Sequence, residues 1–330
     1  VRAPFLLPES DWTAPAFFDP HHQPVLPDER WKSEPPEIRL KVLSEIGVLP
    51  GFFYTERRRE RLLFNSLGLR AHDVATYFEV WSQTRPISLQ RTFAALLEDL
   101  LRNYHRIIFE RQPRPRSDAR ATTDQRPWLL NPEAAISLLS ALLLAADRQG
   151  CLPLSVSPEI DLIDDGVLPG GFATEAFDGQ GEKTRRIVVY EAGRPPLPRG
   201  LLRPFSSAEN TPPVWTHWRR ATFRHFPRRH YTNTLIPPGD IALDELLETL
   251  PEAIFVTEIH PCLSPDGTRI SLTARGKMMR RGEDTGPAIM CSEGGAAAEL
   301  WNRVTARRHG FTMVGNLGAP PLLLDLTNWR

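Results

Sequence analysis

Asn131-Pro132-Glu133-Ala134-Ala135-Ile136-Ser137-Leu138-Leu139-Ser140, continued by Ala141-Leu142-Leu143-Leu144-Ala145-Ala146, marks the point where this chain changes character. Asn131 is a preferred helix cap, because its side-chain oxygen accepts one of the free N–H groups of the first turn. Pro132 suits the first helical position, and Glu133 complements the positive end of the helix dipole. The pattern predicts a helix over 132–147. From Ile136 to Ala146 it is apolar nearly all round, which predicts burial.

Outward from this helix the two directions differ. Toward the C-terminus, short apolar runs at 160–163, 186–190, 254–259, 269–273 and 322–326 read as strands. Turn residues separate them: Asp164-Asp165-Gly166, Gly170-Gly171, Ser264-Pro265-Asp266-Gly267 and Gly294-Gly295. Helices are expected at 242–250 and 296–307. Toward the N-terminus, 112–128 holds Pro113, Pro115 and Pro127 among arginines and reads as a linker. Before it, 88–109 reads as a helix capped by Ser88, with Phe93, Leu96, Leu97, Leu100 and Leu101 as its stripe. Strands are expected at 52–54, 61–65 and 76–83, with Asn65-Ser66-Leu67-Gly68 as a turn, and a short helix at 37–46. Residues 1–36 interleave prolines with Phe5, Trp12, Phe17, Phe18 and Trp31, too many aromatics for a flexible linker. The class is α+β: a Pro-rich arm (1–36), a small α/β N-terminal domain (37–111), a linker (112–128) and a larger antiparallel, sheet-rich C-terminal domain with a few helices (129–330).

Composition removes several function classes. With 330 residues, 41% apolar and 24% charged, the chain is an ordinary globular protein. Forty basic residues balance forty acidic ones, so no global field draws it to nucleic acid or anionic lipid. The bases are nearly all arginine, a residue suited to carboxylates and phosphates but also favoured by a GC-rich genome. Cys151, Cys262 and Cys291 lack C-x-x-C spacing, so neither a disulfide framework nor a zinc ribbon is indicated. The longest apolar run, 138–146, is far below the roughly 20 residues of a membrane span. No secretory signal is apparent, and a soluble cytoplasmic protein is expected.

Three segments carry candidate chemistry. Residues 215–231 hold Arg219, Arg220, Arg224, Arg228 and Arg229 with His217, His225 and His230, interleaved with Trp218, Phe223 and Phe226 and free of acid. Basic residues among aromatics suit single-stranded nucleic acid, but no RNP, KH or helix-turn-helix pattern accompanies them. The histidine spacing fits no standard metal pair. Asp161, Asp164, Asp165, Glu175, Asp178 and Glu182 form an acidic cluster without the calcium-loop pattern, and turn chemistry accounts for part of it. Cys262 lies two residues after His260, which is not in itself a dyad. No G-x-S-x-G, P-loop or H-E-x-x-H is present.

The order of several short motifs resembles the TldD/TldE (PmbA) metallopeptidase family. Pro132-Glu133-Ala134-Ala135 followed by Leu138-Leu139 is similar to the opening of that family's metal-bearing helix. Ile163-Asp164-Asp165-Gly166 and Phe177-Asp178-Gly179-Gln180-Gly181-Glu182 resemble its aspartate turn and F-D-x-E-G region. Arg229-His230-Tyr231-Thr232-Asn233-Thr234, with Pro238-Gly239-Asp240 and Leu243-Asp244-Glu245-Leu246, resembles its R-x-T-N…P-G…S-x-E-E-L segment. Arg280-Arg281-Gly282-Glu283 resembles a hairpin of the family and Gly318-Ala319-Pro320-Pro321-Leu322 its last strand. Phe64-Asn65-Ser66-Leu67-Gly68 resembles an N-terminal turn.

The resemblance implies a zinc peptidase assembly and this chain's place in it. Catalytic members carry H-E-x-x-x-H on the helix and a cysteine near the C-terminus. Ser140, Ala141 and Ala145 stand at the helix positions, and 309–314 has no cysteine. Such residues neither ligate zinc nor act as a base. The resemblance therefore implies a non-catalytic, TldE-like subunit with no cofactor of its own. It would pair as a heterodimer with a zinc-bearing TldD-like subunit, process peptides, and touch substrate through Tyr231, Asn233 and Thr234. Two other readings stay open: a stand-alone peptide- or nucleic-acid-binding protein using 215–231, and a hydrolase pairing its histidines with the 161–182 acids.

Overall fold

The computed structural model describes residues 52–64, 68, 70–82, 86–91, 121–122, 126–195, 217–220, 225–226, 228–240, 245 and 250–329. The expected arm at 1–36, the helix at 37–46, and most of 88–109, 112–128 and 242–250 lie outside these residues. The strands, in chain order, begin with β1 (Phe52–Phe64), β2 (Arg70–Ser82), β3 (Pro86–Arg91), β4 (Ala121–Thr122) and β5 (Trp128–Leu130). They continue with β6 (Leu162–Asp165), β7 (Arg186–Tyr190), β8 (His217–Arg219), β9 (Arg228–His230) and β10 (Asn233–Leu235). A long meander follows, β11 (Ala253–Leu263), β12 (Arg269–Arg280) and β13 (Glu283–Ala296). The last are β14 (Val304–Arg307), β15 (Thr312–Val314), β16 (Leu317–Ala319) and β17 (Leu322–Leu324).

The chain forms two compact units from interleaved segments: Val1–His105, Asp165–Arg186 and Thr216–Thr232 in the first, and Arg106–Asp164, Ile187–Trp215 and Asn233–Arg330 in the second. In the first unit β1 and β2 pair along their whole length, from Phe52 opposite Ser82 to Phe64 opposite Arg70, and β3 continues the sheet. The two short strands expected at 52–54 and 61–65 are thus one. The arginine run between them stays in the strand because Arg59 and Arg61, on one face, meet the carboxylates of Asp73 and Glu175. Ser88 caps no helix. Ile87 and Leu89 alternate with polar neighbours, and this segment pairs with Phe78 and Val80 of β2, so ladder pairing outweighs the capping preference.

The second unit holds a seven-stranded sheet, β14-β17-β5-β11-β12-β13-β4, and a five-stranded sheet, β15-β16-β10-β6-β7. Helix α1 (Pro132–Gln149) packs on β11 of the first and on β15 and β16 of the second. The core lies around β5, whose Trp128, Leu129 and Leu130 are fully buried with Ile254, Val256, Leu272 and Leu324. Tyr190 and Trp301 add a tilted ring pair with centroids 6.3 Å apart. Antiparallel pairing dominates, as expected, while β5 with β11, β10 with β16 and β4 with β13 run parallel. Each of these pairs joins strands far apart in sequence, with room for the crossover that parallel pairing needs.

Two further expectations change. The helix expected over 296–307 is α2 (Ala297–Leu300), a single 3-10 turn and then β14, because Val304–Arg307 pairs with β17. Gly294 and Gly295 are not a turn: they lie within β13, opposite Ser271 and Ile270. The turn that does join β12 to β13 is Arg281-Gly282, both with positive φ (47° and 83°), the geometry that matches strand twist in a two-residue hairpin. Gly276 serves a different purpose. The register shift between Val256 and Glu258 brings the Phe255 carbonyl against it, and a side chain there would collide with backbone. The architecture is α+β and sheet-rich, as expected.

Candidate functional site

Helix α1 begins as its sequence dictates. Asn131 Oδ1 accepts the Ala134 N–H at 2.8 Å, and Gly150, at φ 72°, closes the C-terminus with its N–H on Asp147 O. Nine apolar side chains, from Ala134 to Ala146, are buried. Burial is not complete: Ser137, Ser140 and Leu144 are exposed and Ala141 is half-buried, giving one open stripe at helical spacing. Ser140 and Ala141 belong to this stripe, whereas Ala145 is buried near Leu142, Cys151, Ala297 and Trp301. The donor set Ser140, Ala141 and Ala145 does not fit zinc, which takes imidazole, thiolate or carboxylate. Among the described residues no cluster of three or more His, Cys, Asp or Glu could hold a metal ion.

Strand β10 carries the expected substrate residues. Asn233 and Thr234 are fully buried between β6 and β16, and Tyr231, just before them, is half-buried. Thr234 Oγ1 donates to Asp164 Oδ1 at 3.2 Å, and the Thr234 N–H donates to Asn316 O at 2.8 Å. The buried hydroxyl–carboxylate contact ties β10 to β6.

The acidic cluster does not converge. Asp161 pairs with Arg307 at 2.9 Å and accepts the Ala192 N–H, while Asp165 accepts the Val167 N–H in a local turn. In the first unit Glu175 faces Arg59 and Arg61, at 2.8 and 2.9 Å. Asp178 accepts backbone N–H groups of Gln180, Glu182 and Trp218. Burial raises the Asp178 carboxyl above its ordinary range against the pull of these donors, and burial together with the charge of Asp178 raises Glu182. Turn and strand bracing account for these contacts.

The histidines likewise have separate partners. The register sets His217 opposite His230 across β8 and β9. The buried His217 ring accepts the Arg185 N–H through Nε2 at 3.2 Å. His230 Nε2 lies 2.9 Å from an Arg219 guanidinium nitrogen, which can only donate, so that ring nitrogen is an acceptor. His225 is exposed. His260 and Cys262 are both exposed on β11, two residues apart on one strand.

The Arg59–Arg61–Asp73–Glu175 network had no local signal, since Arg61 and Glu175 are 114 positions apart. Arg61 also donates to Phe177 O at 2.9 Å and stacks over the Phe177 ring at 4.6 Å.

With this geometry in place, the comparisons are specific. The family model described as the PmbA/TldA metallopeptidase C-terminal domain matches residues 154–328. A metalloprotease of Methanocaldococcus jannaschii is 30% identical over 100 residues, which is 30% of this chain and 22% of the relative. The chain thus matches about a fifth of that relative's length. A Bacteroides thetaiotaomicron protein named as a candidate modulator of DNA gyrase superposes with a TM-score of 0.68 at 14% identity, covering 97% of this chain and 76% of its own. TldE from Thermococcus kodakarensis gives 0.63 at 15% identity, covering 97% and 80%. At such identities the structural likeness establishes the fold. No described helix is long and apolar enough to cross a membrane.

Proposed function

The chain belongs to the PmbA/TldD metallopeptidase family, and from that premise we propose that it is a non-catalytic subunit of a heterodimeric zinc peptidase. One observation supports this reading: α1 carries Ser140, Ala141 and Ala145, none a zinc ligand or base, where the resemblance implies the ligands and base of catalytic members. Zinc, and the water it activates, would then belong to a TldD-like partner. This chain contributes structure: one wall of a peptide cleft and the surface on which the partner docks. The open stripe Ser137, Ser140, Ala141 and Leu144 supports the reading, because a helix otherwise committed to burial leaves one face uncovered. Such a face, with small and hydroxyl side chains, lets a backbone approach closely.

In this reading the 231–234 stretch has a divided role, which the burial of Asn233 and Thr234 supports. Half-buried Tyr231 has surface with which to meet substrate, and Asn233 and Thr234 hold the strand that presents it. Peptide turnover is therefore expected only from the assembled complex, in the cytoplasm. Light scattering of the chain with and without its TldD-like partner tests the assembly. A heterodimer burying on the order of 2,000 Å² is expected, and a monomer unaffected by the partner counts against the proposal.

A further inference from the structure

Arg308 follows β14 and is the one buried arginine among the described residues, at 4% exposure. Its backbone is fixed on both sides: the Arg308 N–H donates to Pro321 O at 3.2 Å, and its carbonyl accepts the Gly239 N–H at 3.0 Å. Gly239 lies so close that a side chain there would collide with the Arg307 carbonyl. The neighbouring Arg307 spends its donors inside the fold, with Asp161 at 2.9 Å and Pro237 O at 3.2 Å. The guanidinium of Arg308 does not. Among the described residues nothing accepts a hydrogen bond from its Nε or Nη1, both sealed from solvent, and no carboxylate pairs with it.

An unpaired charge in such a place is costly, and arginine keeps its proton at any ordinary pH. Burial pulls the Arg308 guanidinium below its ordinary range, against the charges of Glu159 and Glu245. Both glutamates are exposed, so they favour the charged form through solvent without occupying its donors. A guanidinium offers two pairs of parallel donors, Nε with Nη2 and Nη1 with Nη2, and each pair matches the two oxygens of a carboxylate. Here each pair includes a nitrogen that has no acceptor. With no hydrogen bond at Nε or Nη1, turning the group toward an arriving oxygen breaks none there.

We propose that Arg308 anchors a carboxylate-binding subsite, which takes the C-terminal carboxylate or an acidic side chain of a peptide. The local field selects a carboxylate over a phosphate. Glu159 and Glu245 oppose any negative charge that enters, but solvent screens them, whereas the fork acts at contact in a poorly solvated place. A carboxylate brings one charge against that field, and a phosphate monoester about 1.5–2. An unpaired charge kept at a cost in stability is what a binding site requires and a purely structural position does not. The inference stands on residues of the second unit and is independent of the subunit role proposed above.

Isothermal titration of the full chain tests it. The probes are acetyl-Ala-Ala-Ala with a free carboxylate, the same peptide amidated, and acetyl-Ala-Glu-Ala amide, with acetate and inorganic phosphate as competitors. At least one carboxylate peptide is expected to bind, and which one does so identifies the source. The amidated trialanine should bind about tenfold more weakly or not at all. Acetate should compete better than phosphate. Arg308→Met keeps the length of the side chain without its charge. It should weaken binding by about tenfold or more, yet melt at or above the parent, because an unpaired buried charge is gone. Arg307→Met strands Asp161 and should melt earlier. Arg308→Lys keeps the charge but not the fork, and should also weaken binding. Equal binding of the free and amidated trialanine, no binding of either carboxylate peptide, or stronger competition by phosphate overturns the proposal. So does unchanged affinity in Arg308→Met. An Arg308→Met chain that melts as early as Arg307→Met reveals an acceptor within the fold and overturns it as well.

Discussion

Arg61 shows how single residues hold this protein together. Its guanidinium donates to Asp73, to Glu175 and to a backbone carbonyl, and it covers an aromatic ring. A lysine keeps the charge but lacks the planar fork, so Arg61→Lys should lower stability by about 1–2 kcal/mol in denaturant melts. An unchanged midpoint would remove the network from the account. Residues 231–234 call for a paired measurement. Asn233→Ala should lower the melting temperature because it empties a fully buried site on β10. Tyr231→Ala should leave melting nearly unchanged and raise KM for peptide in the assembled complex. If Tyr231→Ala alters neither KM nor kcat, the stretch is structural throughout.

At the scale of elements, turns and helix faces give separate predictions. In the turn between β11 and β12, Asp266 accepts hydrogen bonds from Ser264 and Thr268, which pull its carboxyl down from 3.8 to about 2. A carboxylate whose folded value is depressed adds stability above its unfolded value and loses it as pH falls through the folded one. Asp266→Ala should therefore melt earlier than the parent at neutral pH, with the gap closing as pH drops from about 4 toward 2. A gap independent of pH contradicts the turn's role. On α1, Ser140→His places an imidazole in solvent, whereas Ala145→His forces one into a packed site near Trp301. The second should cost about 1–3 kcal/mol and the first almost nothing. Helix α1 was legible residue by residue because its cap, first turn and apolar run are local signals. The meander was legible in place but not in length: β11 and β12 run well past their apolar runs, since the pairing of β12 with β11 and β13 carries polar residues such as Arg275 and Lys277 into the ladder. The strand at 86–91 and the shortness of α2 were not legible, because ladder partners distant in sequence decided both. For the same reason the acidic cluster could be seen as a sequence feature but not as separate braces.

For the molecule as a whole, family and fold stand together, and the proposal about what kind of member this chain is rests on three residues of α1. In the proposed reading, α1 carries a hydroxyl and two methyl groups (Ser140, Ala141 and Ala145) where a catalytic member would carry ligands. A subunit of this kind should be silent alone and indispensable in company. The most direct measurement is zinc content and peptide hydrolysis on one preparation, first of the purified chain and then of the chain titrated with its TldD-like partner. The account predicts no stoichiometric zinc and no turnover from the chain alone, then turnover that rises with the partner and saturates at equal amounts. About one zinc per chain, with hydrolysis by the chain alone, would contradict it.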